Sequence, residues 1–489
     1  IERYRAYIST SDQRSHFLDA SHAVYDQLIS LDIGALDRSP EAFELSEQSR
    51  ARALLEEISR KGETAKHRSP DISSQSYTSE SRSSGMAKPL KLGEVQSQLP
   101  DDLTLLEYSV TSKGTYLFVV TRSGFKTLKS SATTEVLERL VHDYVLDLRQ
   151  LAPLDEVTAK GRALYDYLIK PVEGDIGGNT NLCIVPDKAL HFLPFAGLVD
   201  RSNKYLIESR RLTYAPSASV LVQCTKEARA KPADGQERIL AVGNPQFSGE
   251  YFPNLPALVD AEKEAGVSAS FYKPSPLVLT GAEATERRVR AAMTECDVAH
   301  LAVHCVVEER SPWLAALVLA RTSAAQGAAP QGSESGAATG LTTDSSRKDT
   351  NKRTGTLTNL LPQEPVVDSS DGLLYLSELY GIKLPRTRLV VLSACQSGLG
   401  QYYRGEGIVS LVRPFLAVGV PTVMATLWAV DSRATSDLMI EFHRQRKVQN
   451  LRAGDALRVA QIEMARSGSY QHPYYWAPFI VVGSNLRTN

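Results

Sequence analysis

The chain has 489 residues, and its 55 Lys and Arg nearly balance its 56 Asp and Glu, giving a formal net charge of −1. This length exceeds what one hydrophobic core usually serves, and the balanced charge argues against a general nucleic-acid binder, which carries a basic excess. Hydrophobic residues at 42% and charged residues at 23% are typical of a folded globular chain.

The sequence shows no membrane segment and no disulfide framework. It contains no run of about 18 apolar residues, and its start at Ile1 lacks the apolar core of a signal peptide, so we expect a cytoplasmic chain cut at a domain boundary. Its cysteines are sparse and form no C-x-x-C pair, which argues against disulfides and against a zinc site. They are Cys183, Cys224, Cys296, Cys305 and Cys395.

The first two segments of the chain differ in composition. Residues 1–61 have apolar side chains at roughly helical spacing and predict a helical segment, which must pack on the following domain or on helices upstream of it. Residues 62–94 include a serine-rich stretch with almost nothing to bury and predict a linker.

The rest of the chain alternates between strand-like and helix-like patterns. Residues 103–110 and 115–121 predict a β-hairpin, and residues 134–169 predict a helical span. Short apolar runs then alternate with helical patterns, which predicts an α/β sandwich around a mostly parallel sheet. The apolar runs are 182–185, 238–242, 298–303, 315–319, 388–393 and 422–425, and the later helical patterns are 285–293, 407–418 and 436–446.

One segment interrupts this alternation. Residues 322–356 are rich in Ala, Gly, Ser and Thr, have no aromatic residue, and contain Leu341 as their only large aliphatic side chain. Such a composition cannot bury enough apolar surface to offset the entropy of ordering. We therefore predict a disordered insertion at about 322–369, between two strands.

Two apolar strands end in residues that can carry chemistry. One reaches His304 and the other reaches Cys395, which is followed by Gln-Ser-Gly. Functional groups collect at the carboxyl ends of parallel strands, and a thiol beside an imidazole forms a nucleophile with its general base. A buried strand also holds plain core Cys or His, so the pattern alone leaves both interpretations open. The small residues after Cys395 favour the catalytic one, because a substrate carbonyl could approach the backbone there.

Seven ordered blocks of this sequence resemble the CHAT family, the caspase-like cysteine peptidase domains usually attached to tetratricopeptide repeats. The blocks are VPDKALHFLPFAGL (185–198), YAPSASVL (214–221), HLAVH (300–304), VLSACQSGLG (391–400), RGEG (404–407), TLWAVD (426–431) and HPYYWAPF (472–479). The helical pattern at 46–55 is similar to the segment that follows the repeats in such proteins.

The resemblance implies a caspase-like α/β fold and a cysteine endopeptidase that needs no metal and no cofactor. It implies that Cys395 is the nucleophile and His304 the base, and that backbone N–H groups of Cys305 and Cys395 form the oxyanion hole. It divides the chain into an N-terminal half at 95–235 and a catalytic half at 236–489. The expected partners are a protein substrate and a regulatory protein that acts through the N-terminal helices, with no nucleic acid and no membrane.

One position departs from the family pattern. The family usually has Gly directly after the catalytic His, where this chain has Cys305. A side chain there is compatible with tolerated variation, with a second redox-active thiol, or with weakened activity, because glycine permits conformations that other residues do not. The alternatives to an active protease are therefore a non-catalytic caspase-like scaffold and a protease that stays latent until a partner binds.

Asp431 is the candidate for substrate specificity. It stands where the related separase carries a pocket acid that selects a basic residue before the cut, and a carboxylate pairs well with Arg or Lys. Asp431 also precedes a helical pattern, where Asp is among the best N-caps. Both roles stay open. His300 is four residues before His304 on the same strand, and we interpret it as a core histidine.

Overall fold

The structure is a computed structural model of the chain. The residues that it describes are 11–59, 87–176, 181–232, 235–247, 252, 255–306, 315–321, 371–393, 401–403, 407–409 and 412–485. The predicted insertion at 322–369, Cys395 and the serine-rich part of the predicted linker lie outside these residues. The last residues of the linker, from 87 onward, lie within them.

The α-helices are numbered here in chain order. They are α1 (Ser11–Gly34), α2 (Ser39–Gln48), α3 (Arg52–Ser59), α4 (Leu92–Gln98), α5 (Thr134–Arg149), α6 (Leu154–Leu168), α7 (Leu206–Ser209), α8 (Ala218–Ala230), α9 (Val259–Ser270), α10 (Glu286–Glu295), α11 (Leu376–Leu379), α12 (Val412–Ala417), α13 (Ser432–Val448) and α14 (Ala453–Arg466). Among the helices so described, none is long and apolar enough to cross a membrane.

The β-strands are numbered in the same way. They are β1 (Leu103–Thr111), β2 (Gly114–Val120), β3 (Phe125–Ser130), β4 (Asn181–Val185), β5 (Arg211–Tyr214), β6 (Ile239–Pro245), β7 (Leu277–Gly281), β8 (Val298–Ala302), β9 (Cys305–Val306), β10 (Ala316–Val318), β11 (Leu373–Tyr375), β12 (Leu389–Leu392), β13 (Gln401–Tyr403), β14 (Gly407–Val409), β15 (Thr422–Thr426) and β16 (Phe479–Gly483).

Within the described residues, one 11-stranded sheet forms the centre of the molecule, in the order β3-β2-β1-β4-β5-β16-β15-β12-β8-β6-β7. Strands β1, β4 and β5 pair in parallel, and so do β15, β12, β8, β6 and β7. Strand β16 lies between these two groups and pairs antiparallel with β15. The central strands are buried along their whole length, as expected for a parallel sheet covered by helices on both faces.

The prediction of an α/β sandwich around a mostly parallel sheet is confirmed. The β1–β2 hairpin pairs as predicted, from Leu105 opposite Val120 to Thr111 opposite Gly114. The single helical span predicted at 134–169 is wrong in detail, because it divides into α5 and α6 around Leu151, whose φ is +54°, and Pro153. A proline and a positive φ both interrupt a helix. The helical pattern predicted at 407–418 is likewise wrong in part, because it contains strand β14 as well as helix α12.

The N-terminal helices pack on the domain that follows them, which is one of the two alternatives that the sequence left open. The carboxylate of Glu47 on α2 accepts hydrogen bonds from the backbone N–H groups of Ala218 and Ser219, each at 2.8 Å, at the start of α8. Glu47 is buried. A buried carboxylate at a helix N-terminus satisfies backbone donors that the helix itself leaves unpaired, and it interacts favourably with the helix dipole.

A second buried polar cluster joins α2 to the sheet. The Ser46 hydroxyl donates to Glu107 of β1 at 2.6 Å, and the Arg50 guanidinium donates to the Tyr108 carbonyl at 2.9 Å. Burial raises the pKa of Glu107 well above its ordinary value, although Arg50 acts in the opposite direction. The segment 11–59 is therefore part of the folded body, with polar contacts that are not accessible to water.

Candidate functional site

Strands β8 and β12 bring the two sequence-predicted site segments to the same edge of the sheet. They pair in parallel, with His300 opposite Val391 and Leu301 opposite Leu392, so both strands end side by side. His304 follows the end of β8 by two residues. Cys395, which follows the end of β12, lies outside the described residues, and its side chain is not placed relative to His304.

His304 is held by three contacts. Its Nε2 lies 2.8 Å from the carbonyl oxygen of Pro256, and the ring of Phe247 packs edge-on against it at 5.5 Å between centroids. Its own carbonyl accepts a hydrogen bond from the N–H of Val318 at 2.9 Å. Because a carbonyl can only accept, Nε2 must carry the proton, and in the neutral ring the lone pair is then on Nδ1. The Pro256 contact thus selects the tautomer in which Nδ1 can accept a proton.

The loop that presents the Pro256 carbonyl is fixed by strand β6 and helix α9. Asn244 of β6, with a φ of +49°, accepts from the Leu258 N–H at 2.9 Å and donates to Glu262 at 3.1 Å. Asparagine tolerates this left-handed conformation better than most residues. Gly243 precedes it, and a Cβ there would lie 2.3 Å from the Ala261 carbonyl, so glycine allows α9 to pack directly on β6.

Cys305, the departure from the family pattern, lies in strand β9. Its backbone pairs with Leu317 of β10, in a three-stranded sheet completed by β11. The φ of Cys305 is not positive, so its backbone is in a region that any L-residue adopts. Cys305 therefore does not occupy a glycine-only conformation, and its side chain is half-buried.

The remaining sequence-predicted residues are placed as follows. Asp431 is exposed and caps α13, since its Oδ1 accepts from the Ala434 N–H at 2.9 Å. Cys183, Cys224 and Cys296 are buried, and burial raises the pKa of the Cys183 and Cys296 thiols to about 12. These two thiols are protonated at neutral pH and are poor nucleophiles.

His300 is part of a chain of buried polar side chains that the sequence patterns did not reveal. Its Nδ1 lies 3.1 Å from Nε2 of His443, whose Nδ1 lies 2.8 Å from the hydroxyl of Tyr272. Arg446 donates to that hydroxyl at 2.9 Å, and at the other end His300 Nε2 lies 2.9 Å from Oε1 of Glu264. All five side chains are buried.

The contacts of this chain are consistent with protons that point in one direction. The Tyr272 hydroxyl accepts from Arg446 and donates to Nδ1 of His443, whose Nε2–H then donates to Nδ1 of His300. His300 is left with its Nε2–H facing the Glu264 carboxylate. Burial, together with the nearby His300 and Arg446, lowers the pKa of His443 well below its ordinary value, which keeps it neutral as this direction requires. His300 is a buried core histidine, as the sequence predicted, but its partners His443 and Glu264 were not predicted.

The described residues contain no group of three or more His, Cys, Asp or Glu placed to hold a metal ion. His300 and His304 have different partners, as their separation along β8 requires. The candidate chemistry of this edge of the sheet is therefore that of an imidazole with a defined tautomer, next to the strand end that leads to Cys395.

Comparisons with known proteins show the family and the fold of the chain. The CHAT domain family matches residues 158–484. The human tetratricopeptide repeat protein 28 is 28% identical over 426 residues, covering 81% of this chain and 16% of its own length. The mouse tetratricopeptide repeat protein 28 is 30% identical over 345 residues, covering 67% of this chain and 13% of its own length. The chain thus spans less than a fifth of the curated relatives that it matches.

A solved structure, the Saccharomyces cerevisiae separase-securin complex at 3.0 angstrom resolution, superposes with a TM-score of 0.55 at 11% identity, covering 97% of this chain and 37% of that one. At this identity the likeness concerns the fold alone, which is caspase-like. The fold and the site segments thus define a caspase-like α/β protein. Within that class, the chain belongs to the CHAT domain family.

The neutral His443 predicts a specific loss of stability in acid. Its folded pKa lies below its unfolded value, so its contribution is fully present above about pH 6.5 and is lost as the pH falls, because only the unfolded chain takes up the proton. We expect the free energy of unfolding to fall by up to ~1.4 kcal/mol per pH unit from this group. Denaturant unfolding between pH 7.5 and 5 measures it.

His443→Asn removes the ionisable group and should make that decline shallower, although the variant starts from a lower stability. The matched control is His142→Asn, at a side chain that is 73% exposed on α5, and it should follow the wild-type curve. If the free energy of unfolding fell equally steeply with pH in wild type and in His443→Asn, the assignment of a neutral His443 would be contradicted.

Proposed function

We propose that this chain is a cysteine endopeptidase of the CHAT type that cleaves protein substrates. The observation that carries the proposal is the contact between His304 Nε2 and the Pro256 carbonyl, because it leaves Nδ1 as the basic nitrogen at the strand edge. The parallel pairing of β8 with β12, the strand that leads to Cys395, supports it. So does membership of the CHAT family.

In the proposed mechanism, His304 Nδ1 accepts the proton of the Cys395 thiol. The thiolate attacks the scissile carbonyl, and backbone N–H groups of Cys305 and Cys395 stabilise the oxyanion. The imidazolium of His304 then protonates the departing amine, which leaves a thioester on Cys395. A water molecule, deprotonated by His304, hydrolyses the thioester and restores the thiol. The proposal requires no metal ion and no cofactor.

The test is cleavage of a diverse peptide library by the wild type, Cys395→Ala, His304→Ala and the control Cys224→Ala, which alters a buried thiol on α8. We expect both dyad variants to lose cleavage by at least about 10³-fold and the control to retain it. At pH 7, iodoacetamide should label Cys395 while the native Cys183 and Cys296 stay unmodified, since their thiol pKa values are about 12.

Equal cleavage by wild type and Cys395→Ala would contradict the protease. Slow labelling of Cys395, together with no cleavage, would favour the non-catalytic scaffold. Cleavage that rises in Cys305→Gly would show that the cysteine side chain restricts the substrate approach, as the weakened-activity interpretation requires.

We further propose that Asp431 selects Arg or Lys before the cut, in addition to capping α13. Asp431→Asn separates the two roles, because asparagine caps a helix about as well as aspartate but has no charge. We expect Asp431→Asn to reduce kcat/KM for peptides with Arg at P1 about tenfold relative to Leu, with an unchanged unfolding midpoint. Asp431→Ala should also lower stability, by ~1 kcal/mol.

A P1 preference that is the same in wild type and Asp431→Asn would leave Asp431 as a helix cap only. The comparison uses the ratio of Arg to Leu substrates, so a general loss of activity does not imitate the expected result.

We also propose that a helical-repeat protein segment regulates the protease by docking on α1. Helix α1 exposes Val24 at 47%, Leu28 at 39% and Leu31 at 48%, an apolar stripe at helical spacing. The matched relatives are named for tetratricopeptide repeats, and the separase structure is a complex with securin, a protein partner. A repeat consists of paired helices, whose apolar faces need such a neighbour.

The probe is the isolated repeat region of the human relative, titrated against this chain by calorimetry. We expect saturable binding that weakens at least tenfold in Leu28→Glu/Leu31→Glu. The control is Leu146→Glu/Leu154→Glu, which changes two similarly exposed leucines, at 41% and 39%, on α5 and α6. No saturable binding, or equal loss in the control, would contradict docking on α1.

A further inference from the structure

Glu57, near the end of α3, joins the N-terminal helices to two separate parts of the body. Its carboxylate forms a two-point ion pair with Arg413, with Oε2 at 3.3 Å from Nε and Oε1 at 3.1 Å from Nη2. The hydroxyl of Tyr380 donates to Oε2 at 3.3 Å. The side chains of Glu57 and Arg413 are only 19% and 9% exposed, so water screens this pair poorly.

One of these partners leads to His304 through main-chain pairing. Tyr380 directly follows α11, which continues strand β11. Strand β11 pairs with β10, and β10 pairs with β9, which begins immediately after His304. The N–H of Val318 in β10 donates to the His304 carbonyl. The path from the Glu57 contact to the His304 backbone thus runs through α11 and the three-stranded sheet β9–β10–β11.

The other partner leads to the central sheet. Arg413 lies in the first turn of the buried helix α12, which precedes β15. Strand β15 pairs with β12, and β12 pairs with β8, the strand that ends before His304. A carboxylate with two acceptor oxygens therefore fixes α3, the Tyr380 turn and α12 at one point.

We propose that Glu57 is a positioning residue through which the N-terminal helices 11–59 hold the His304 backbone in its working geometry. It does not touch the imidazole. It acts by limiting the movement of the sheet β9–β10–β11 relative to β8. A movement of the N-terminal helices therefore changes the position of the His304 backbone. The inference deepens the proposed protease function and rests on it for its catalytic consequence.

The experiment compares Glu57→Gln with wild type by amide hydrogen exchange and by peptide-cleavage kinetics. Glu57→Gln keeps the shape of the side chain but removes its charge. We expect at least tenfold faster exchange in residues 373–380 and at the Val318 amide, which bonds to His304. We also expect kcat to fall with KM nearly unchanged, because the variant disturbs the catalytic histidine and leaves substrate contacts in place.

Two further variants keep the result interpretable. Tyr380→Phe removes only the hydroxyl and should reproduce the faster exchange in 373–380. The matched control is Asp32→Asn, which breaks the Asp32–Arg38 ion pair of 3.4 Å beside α1 and should leave exchange at Val318 unchanged. Unchanged exchange at Val318 in Glu57→Gln, or an equal change in Asp32→Asn, would overturn the inference.

The outcomes also separate this inference from the protease itself. If the wild type cleaves nothing and Cys395→Ala behaves like it, the protease fails while exchange at Val318 still decides whether Glu57 holds this sheet. If the wild type cleaves peptides and Glu57→Gln shows normal kcat together with faster exchange, the positioning role is wrong and the protease stands.

Discussion

The burial of strand β8 between β6 and β12 is the constraint on which the candidate site depends. Every residue from Val298 to Ala302 is buried, and both neighbours pair with it in parallel. Within such a strand a polar side chain must find its partners inside the protein. His304 follows this strand and is itself only 8% exposed, and its position is set by the main-chain pairing of β8 before it and β9 after it.

The two histidines of this segment show how position decides chemistry. His300, inside the strand, belongs to a chain of side chains that ends in Glu264 on one side and Arg446 on the other. Arg446 pairs in turn with Glu237 at 2.8 Å, and burial lowers the pKa of His443 well below its ordinary value, which keeps that histidine neutral. Glu264 lies on α9, the helix whose preceding loop presents the Pro256 carbonyl to His304. The buried chain thus anchors α9 to β8, and the loop before α9 presents the Pro256 carbonyl that selects the His304 tautomer.

Local patterns were sufficient to predict β1, β4, β6, β8, β12 and β15 of the central sheet, because an apolar run bounded by turn residues is a local property. They did not predict β5 and β7 of the same sheet, and they did not show that β10 belongs to a separate sheet. They also predicted that His304 follows an apolar strand, which is where the structure places it. They failed at Pro153, where a helical pattern continues past a break, and at β9 and β11, which are too short to show a period. The Pro256 carbonyl and the pair of Glu57 with Arg413, 356 positions apart, are contacts between distant segments and leave no local signal.

The N-terminal helices supply carboxylate acceptors to two distant segments of the chain. Glu47 accepts from the start of α8, which follows β5, and Glu57 pairs with Arg413 of α12, which precedes β15. Moving these helices away would break the hydrogen bonds of the Ala218 and Ser219 N–H groups to Glu47 and the ion pair of Arg413 with Glu57, and a hydrogen bond to a charged group contributes about 1.5–3 kcal/mol. In the proposed regulation, a partner binds the exposed stripe of α1 while the N-terminal helices stay packed on the body. A small shift of α3 is enough to change the geometry at Glu57, and the paired strands β11, β10 and β9 carry that change to the backbone of His304.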